Sequence, residues 1–259
     1  MSKINRKAII TGGSKGIGKA IAERFAKENI DLYLLASNEE RLKKTSSELK
    51  NKYNVDVFYH ASDLKTRIGC ESAINSIEND FEDFDTLVFS AGATKSGDFL
   101  KQPIEDFEDG FALKFYSAVR LSKAFWPTLS KNKGWVVSIN GAMSHSPDPF
   151  FMVGGAVNAA FLNFSKALSK KGIIDGVNVN SINPGMTSTD RLITIIQSAA
   201  EREGTNFAEA EAKALKNIGL DRFGTPEEVA ELTYFLCNPK MRHLTGTEIN
   251  LDGGKKTTL

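Results

Sequence analysis

Short apolar runs alternate along the chain with stretches in which apolar side chains recur every three or four positions. The short runs predict seven strands, at residues 7–11, 31–36, 55–60, 86–90, 135–140, 178–182 and 246–251. The stretches between them predict amphipathic helices, among them 18–28, 40–53 and 68–81. This alternation is typical of parallel strands joined by right-handed crossovers, with helices on both faces. We therefore expect an α/β fold, a doubly wound parallel sheet of about seven strands.

One segment interrupts this alternation. Residues 189–222 hold two consecutive helical patterns, at 191–202 and 207–218, with no strand between them. An insertion between the sixth and seventh strands lies over the carboxyl ends of the strands, where sheets of this kind bind ligands. We predict that 189–222 forms a helical lid over a substrate, although a purely structural flap would have the same pattern. No repeat or linker divides the chain, so residues 1–259 are expected to form a single domain.

Composition narrows the possible partners. The chain has 33 basic and 32 acidic residues, a net charge of +1, which gives no electrostatic reason to expect a nucleic acid or a membrane surface as partner. No apolar run reaches the roughly 18 residues of a membrane span, and we expect a cytoplasmic protein. The two cysteines, Cys70 and Cys237, lack the spacing of metal ligands, so no metal site is expected.

A glycine-rich turn follows the first predicted strand and opens directly into a predicted helix. Gly12 allows a tight turn, Gly16 lets the backbone approach a pyrophosphate, and Gly18 lets the helix pack close to the strand. The N-terminus of the helix then offers free N–H groups and partial positive charge to the phosphates. We predict a Rossmann-type dinucleotide site whose loop residues are Gly12, Ser14, Lys15, Gly16, Ile17 and Gly18.

The second predicted strand ends without the carboxylate that would bind the ribose hydroxyls of NAD. Ala36 and Ser37 stand at that end, whereas Asp31 lies at the opposite end of the strand. Lys15 could meet the additional 2′-phosphate of NADP, although a solvated lysine explains it as well. The sequence therefore favours NADP(H) over NAD(H) as the cofactor, with Ser37 beside its adenosine ribose.

Further motifs follow in order along the chain. They are Asp63-Leu64 after the third strand, Ser90-Ala91-Gly92 after the fourth, and Pro184-Gly185 with Thr187 and Thr189 after the sixth. Together with the glycine-rich loop, they resemble the motifs of the short-chain dehydrogenase/reductase family over nearly the whole chain. The resemblance implies that Asp63 and Leu64 contact the adenine and that the turn at 90–92 binds the cofactor. It also implies that the segment 184–189 borders the nicotinamide.

The catalytic residues that the resemblance implies are absent. In this family a serine ends the fifth strand, a tyrosine follows thirteen residues later and a lysine four residues beyond that, and together they run the proton transfer. The corresponding positions here are Gly141, Gly154 and Asn158, and none can act as its counterpart would. Enoyl reductases of the same superfamily place the tyrosine seven residues before the lysine, and that position here is Phe151. The resemblance thus implies a divergent member without the Ser-Tyr-Lys residues.

A fourth position also changes. The family often carries an asparagine on the helix after the fourth strand, where this chain has Lys114, so lysine and asparagine are exchanged between Lys114 and Asn158. We hypothesise that the Lys114 ammonium replaces that of the missing lysine, binding the nicotinamide ribose or acting as an acid if burial lowers its pKa. The alternative is a solvent-facing lysine on a decayed site. Asn140, as a hydrogen-bond donor to a carbonyl, and His145, as a proton donor or a plain surface histidine, are further catalytic candidates.

These residues leave more than one class of function open. The first is an NADP(H)-dependent oxidoreductase with an atypical active site, acting on an unidentified small carbonyl or alcohol substrate. The second is a non-catalytic NADP-binding sensor or partner subunit, and a lyase- or hydrolase-like activity is a third. The resemblance also implies a homo-oligomer, a tetramer or dimer, formed through the helices after the fourth and fifth strands. The apolar residues expected there are Phe115, Val119, Leu121, Phe125, Trp126, Phe161, Phe164 and Leu168.

Overall fold

The computed structural model describes residues 6–255 and shows seven parallel strands in one sheet, in the order β3-β2-β1-β4-β5-β6-β7. The strands are β1 (Lys7–Thr11), β2 (Asp31–Ala36), β3 (Val57–Ala61), β4 (Thr86–Phe89), β5 (Trp135–Ile139), β6 (Asn178–Pro184) and β7 (Glu248–Leu251). The helices are α1 (Gly16–Ala26), α2 (Glu39–Tyr53), α3 (Arg67–Asp80), α4 (Ile104–Gly110), α5 (Ser117–Lys131), α6 (Met152–Asp175), α7 (Asp190–Glu203), α8 (Phe207–Ile218) and α9 (Pro226–Leu236). A π-helical segment, Phe111–Tyr116, joins α4 to α5.

The doubly wound fold expected from the hydrophobic pattern is confirmed. The strands predicted at 7–11 and 31–36 are observed without change, and the other predicted strands differ at their ends by one or two residues. Alternate residues of β1, β2, β4 and β5 enter two separate cores, because successive side chains point to opposite faces of a sheet. Along β1, Ala8 and Ile10 pack with α1, α2 and α9, whereas Ile9 packs with α3 and α5.

The sheet places a crevice at the carboxyl ends of β1 and β4. The chain leaves β1 to build β2 and β3 on one side and then returns to build β4 to β7 on the other. Thr11, the last residue of β1, pairs with Phe89, the last residue of β4. The loops that follow these two strands therefore diverge, which is the point where doubly wound sheets bind their ligands.

The segment predicted as two helices between the last strands is a helical hairpin of α7 and α8. The two helices bury a small apolar cluster of their own, which includes Leu192, Ile196 and Ala210. Each begins at a side-chain cap: the Thr189 hydroxyl accepts from the backbone N–H of Leu192, and the Asn206 side chain accepts from that of Glu209. The hairpin is thus a folded unit above the sheet rather than an irregular loop.

Some of the residues expected at a subunit interface lie in the core of the chain instead. Leu121, Phe125 and Phe161 are fully buried between the sheet and helices α3, α5 and α6. Phe115 and Trp126 are partly buried against the same core. The apolar pattern of α5 and α6 therefore has a packing role within the subunit.

Among the helices of residues 6–255, none combines the length and the apolar character needed to cross a membrane.

Candidate active site

The glycine-rich loop is held tightly against its neighbours. The backbone N–H of Gly12 donates to the Leu35 carbonyl at 2.7 Å, and the Thr11 hydroxyl accepts from the backbone N–H groups of Ser90 and Ala91 at 3.0 and 3.1 Å. A Cβ on Gly18 would lie 2.2 Å from the Gly12 carbonyl oxygen, so only glycine lets α1 start this close to β1. The loop and the turn after β4 are thus fixed to each other.

The N-terminus of α1 is free for an anion. No side chain caps it, and its first turn contains no acidic residue. Ser14 is buried in the loop, Ile17 is partly buried against the core, and Lys15 is exposed. These features leave N–H groups and the positive end of the helix dipole facing the crevice, as a pyrophosphate requires.

The structure also brings the later predicted motifs to this crevice. A Cβ on Gly12 would touch Ala91, and one on Gly16 would lie 3.5 Å from the Thr189 side chain. Gly92, one residue beyond Ala91, lies beneath the side chain of Lys114. The glycine-rich loop, the turn at 90–92 and the start of α7 therefore surround one space.

The segment 184–189 is ordered by its own hydrogen bonds. Pro184 ends β6 beside Leu251, and the backbone N–H of Gly185 donates to the Leu251 carbonyl at 3.0 Å. The Thr187 hydroxyl donates to the Gly185 carbonyl, and the Thr189 hydroxyl donates to the Thr187 carbonyl, each at 3.2 Å. The segment is thus a fixed wall of the crevice that leads directly into α7.

The predicted adenosine-side residues lie at the ends of β2 and β3. Ser37 is exposed immediately after β2, with no acidic side chain at the strand's end. Asp63 is exposed, and its carboxylate accepts from the backbone N–H of Lys65. Leu64 is buried in the core, so its backbone rather than its side chain faces this region. Asp31 lies at the far end of β2, where its carboxylate accepts from the Asp56 backbone N–H.

Lys114 occupies the centre of the site. Its ammonium donates to the Asn140 carbonyl and to the Asn158 side-chain oxygen, each at 2.6 Å. The residue lies in the π-helical segment before α5, and such segments shift a side chain relative to a regular helix and often mark functional sites. Burial, with a smaller contribution from the positive charge of Arg191, lowers the pKa of Lys114 to about 7. The alternative of a solvent-facing lysine does not describe this arrangement.

Gly141 and Asn158, which the sequence predicts at two of the family's catalytic positions, lie next to each other. Gly141 has φ +148°, a backbone conformation that residues with a side chain rarely adopt. A Cβ on it would lie 2.8 Å from the amide nitrogen of Asn158, which is itself buried beside Lys114. A serine at 141 would therefore displace Asn158 and disturb its hydrogen bond to Lys114.

The space beside Gly154, the position predicted for the family's tyrosine, is filled by another side chain. A Cβ on Gly154 would lie 1.9 to 2.6 Å from three ring atoms of Phe151. The Phe151 ring therefore occupies the space that a side chain at 154 would enter. Phe151 also lies under the Arg191 guanidinium, 5.7 Å from ring centroid to Cζ. The space beside Gly154 thus holds an aromatic ring without a hydroxyl.

Asn140 sits in a row of polar residues beneath α6. Its side-chain amide donates to the Ser138 hydroxyl at 3.2 Å, and Ser138 shares a further hydrogen bond with Ser181 on the next strand. The side-chain oxygen of Asn140 is buried and has no hydrogen-bond partner among residues 6–255. Because the amide faces this row, Asn140 contributes its backbone carbonyl to Lys114.

His145 lies apart from Lys114. Its ring nitrogen pairs with the Glu248 carboxylate, which also accepts from the Asn183 side chain. The ring lines a separate cleft of about 490 Å³ between α6 and β7. The structure therefore does not bring His145 together with the other predicted catalytic residues.

Residues 6–255 contain no group of three or more His, Cys, Asp or Glu side chains that could hold a metal ion.

The sequence reasoning missed Arg191. This residue lies in the first turn of α7, and its guanidinium donates to the Thr94 carbonyl at 2.7 Å and to the Thr94 hydroxyl at 3.1 Å. It thus ties the hairpin to the loop after β4, above Phe151. Its only signal in the sequence is its place two residues after Thr189, which does not indicate where a long side chain points.

Three comparisons agree with this geometry. A family model described as Enoyl-(Acyl carrier protein) reductase matches residues 12–256. The 3-oxoacyl-[acyl-carrier-protein] reductase FabG of Aquifex aeolicus is 27% identical over 248 residues, which cover 95% of this chain and 96% of that protein. The family model thus covers the glycine-rich loop, strands β2 to β7 and the helical hairpin.

Two solved structures are similar over 98% of this chain and 98% of their own. L-Sorbose reductase from Gluconobacter frateurii, complexed with NADPH and L-sorbose, is 30% identical with a TM-score of 0.91. A short chain oxidoreductase from Pseudomonas aeruginosa PAO1, NADPH bound and described as containing an atypical catalytic center, is 25% identical with a TM-score of 0.87. From the match to residues 12–256 and these likenesses, the chain belongs to the short-chain dehydrogenase/reductase family.

Proposed function

We propose that this protein is an NADP(H)-dependent oxidoreductase that interconverts a carbonyl compound and an alcohol, with an atypical active site in which Lys114 replaces the usual tyrosine as proton donor. The observation that carries the proposal is the placement of the Lys114 ammonium, beside Gly92 and hydrogen-bonded to Asn140 and Asn158. A decayed site would have no reason to retain a partly buried cation held by two hydrogen bonds at this point, because removing a cation from water is costly.

The residues of the crevice fit a dinucleotide. The loop from Gly12 to Gly18 and the N-terminus of α1 would hold the pyrophosphate, Asp63 and Leu64 the adenine, and the segment 184–189 the nicotinamide. When bound, NADPH supplies a hydride to the carbonyl carbon, and one proton delivered to the oxygen completes the alcohol. The chain itself has to place the substrate and deliver that proton.

Lys114 suits proton delivery because a pKa of about 7 lets it exchange a proton readily near neutral pH. Asn158 and the Asn140 carbonyl hold the ammonium in one position, since each accepts one of its three N–H donors. The third N–H is then the proton available to a carbonyl oxygen. Proton transfer leaves a neutral amine, whose two remaining donors still satisfy both acceptors.

Preference for NADPH over NADH is supported by the chemistry at the end of β2. Ser37 is exposed where a carboxylate would repel a 2′-phosphate, and the exposed Lys15 lies in the adjoining loop. The L-sorbose reductase structure was obtained with NADPH. We expect tight binding of NADPH and at least tenfold weaker binding of NADH, measured by titration of nicotinamide fluorescence.

The variant Lys15→Gln tests the origin of this preference, because it removes only the exposed cation of the loop. The variant is expected to lose several-fold of its NADPH affinity and none of its NADH affinity, because only NADPH carries the additional phosphate. Binding of neither nucleotide by the unmodified protein would overturn the proposed function. Equal binding of both would leave the oxidoreductase and remove the NADPH preference.

A second function, a non-catalytic NADP-binding sensor or partner subunit, is favoured by Gly141 and Gly154. Both positions lack the family's hydroxyl, and Phe151 fills the space at 154. The two functions differ in one result: a sensor binds NADPH without oxidising it in the presence of any carbonyl compound. The partly buried Lys114 ammonium, held by two hydrogen bonds, is the reason that we place the enzyme first.

We also propose that the chain acts as a homo-oligomer and that the α7–α8 hairpin covers the substrate as a lid. Exposed apolar residues remain at the end of α6, where Ile173 and Ile174 are 68% and 84% exposed. Light scattering coupled to size-exclusion chromatography is expected to give two or four copies of the 28.4 kDa chain. A single copy at micromolar concentration would contradict this assembly.

A further inference from the structure

We infer that the site takes a carbonyl substrate that also carries a carboxylate, an oxo acid, and that Arg191 of the hairpin binds that carboxylate. The inference rests on the proposed function and names its substrate class. Its basis is the position of Arg191 beside the crevice, where it has hydrogen-bond donors to spare and no acidic partner among residues 6–255.

Arg191 has hydrogen-bonding capacity that the protein does not use. A guanidinium carries five N–H donors, and here one terminal nitrogen makes both recorded bonds, to the carbonyl and hydroxyl of Thr94. No ion pair with a carboxylate of residues 6–255 neutralises its charge, although thirteen such pairs involve other residues in that range. The Nε–H and the N–H groups of the other terminal nitrogen make no hydrogen bond to residues 6–255, and such charged donors bind carboxylates.

The position of Arg191 fits a substrate ligand. Its guanidinium lies above the Phe151 ring, which occupies the space beside Gly154, and its charge is near enough to influence Lys114. Two cations thus face the crevice: Lys114 is partly buried within it, and the exposed Arg191 lies at its edge. A neutral ketone would use only the first, whereas an oxo acid would place its carbonyl at Lys114 and its carboxylate at Arg191.

The residues next to Phe151 are apolar and exposed. Phe150 and Met152, on either side of Phe151, are 39% and 40% exposed, and the Phe150 ring lies under the Arg202 guanidinium. The Phe150 carbonyl accepts from the backbone N–H of Gly97, which fixes this segment to the loop that Arg191 also holds. The chemistry favours an acid with a short aliphatic or aromatic chain over a sugar or a free polyol.

The experiment measures binding, so that it does not depend on turnover. The protein loaded with NADP⁺ is titrated with 2-oxohexanoate, 3-oxohexanoate and 4-oxohexanoate and with the methyl ester of each, by isothermal calorimetry. At least one acid is expected to bind ten- to a hundredfold more tightly than its ester, as charge-assisted hydrogen bonds to a guanidinium do. Arg191→Met is expected to remove that difference and to leave the affinity for NADP⁺ within about twofold.

The matched control is Lys216→Met, which removes an exposed cation from the last turn of α8, the other helix of the hairpin. It is expected to change acid binding by less than threefold. If no acid binds better than its ester, or if Arg191→Met leaves the difference intact, the inference is wrong while NADP binding and the proposed function stand. If Arg191→Met instead weakens NADP⁺ itself, the arginine is a phosphate ligand and the inference is again overturned. Failure of the unmodified protein to bind NADP⁺ would be a failure of the proposed function.

Discussion

Replacing Lys114 with methionine is expected to lower the rate constant for carbonyl reduction by about 10²- to 10⁴-fold, with a much smaller loss of NADPH affinity. Methionine keeps most of the volume of the lysine stem that lies over Gly92 and removes only the ammonium. The loss therefore reports proton delivery rather than collapse of the site. The measurement is single-turnover oxidation of bound NADPH with a ketone that the unmodified protein reduces.

The pH dependence gives the same prediction a sign. The pKa of Lys114 is about 7, so the protonated donor predominates below that pH and is lost above it. The rate constant for reduction is expected to be constant at low pH and to fall towards tenfold per pH unit above about 7. Alcohol oxidation, which needs the neutral amine as base, is expected to rise over the same range. In Lys114→Met both dependences should disappear.

Lys123→Met is the matched control, because Lys123 is an exposed lysine on the helix that follows and its loss leaves the cleft unchanged. It should retain the rate and the pH profile of the unmodified protein. A Lys114→Met variant that reduces the ketone at an undiminished rate would show that the proton comes from elsewhere. The noncatalytic sensor would then become the better description of the site.

Most of the fold could be predicted from the sequence because its signals are local. Short apolar runs predict β1 and β2, and successive side chains along them enter the two cores in turn. The glycines of the loop after β1 fix the packing of that loop. The exchange of lysine and asparagine between 114 and 158 could also be found, since it depends only on the spacing of motifs. The structure brings those two residues within 2.6 Å of each other.

The chemistry of the site depends on contacts that no local pattern encodes. The π-helical segment that carries Lys114 looks like ordinary helix in the sequence. Phe151 lies three residues before Gly154, and nothing in that spacing shows that its ring turns back into the space beside the glycine. His145 pairs with Glu248, 103 residues away in the chain, and therefore lies outside the group formed by Lys114, Asn140 and Asn158. Each of these depends on tertiary packing.

These contacts also explain why the family's catalytic residues cannot be restored one at a time. Serine at 141 would meet Asn158 in a backbone conformation that disfavours any side chain, and a side chain at 154 would meet Phe151. The present site is therefore a self-consistent arrangement in which Gly141 makes room for Asn158, and Asn158 holds Lys114. The proposed exchange of lysine and asparagine between positions 114 and 158 predicts that the two residues are energetically coupled.

Asn158→Lys alone is expected to destabilise the protein by about 3–5 kcal/mol, because it places a second ammonium beside that of Lys114 without a carboxylate to pair with. Lys114→Asn alone should cost about 1–3 kcal/mol, since the Asn158 side-chain oxygen and the Asn140 carbonyl lose their donor. In the double variant the longer side chain comes from α6 and the shorter one from the π-helical segment. One ammonium and one amide are again present, and the space over Gly92 that the lysine stem vacates becomes available.

The double variant is therefore expected to be more stable than the sum of the single effects by at least about 2 kcal/mol, measured by urea unfolding in a double-mutant cycle. Asn163→Lys, the same substitution at an exposed position of α6, should change the free energy of unfolding by less than about 0.5 kcal/mol. Additive effects would falsify the exchange, because two residues that share one ammonium position have to be coupled. A favourable coupling with retained NADPH binding would mean that the site accepts its cation from either side, as an exchange between the two helices requires.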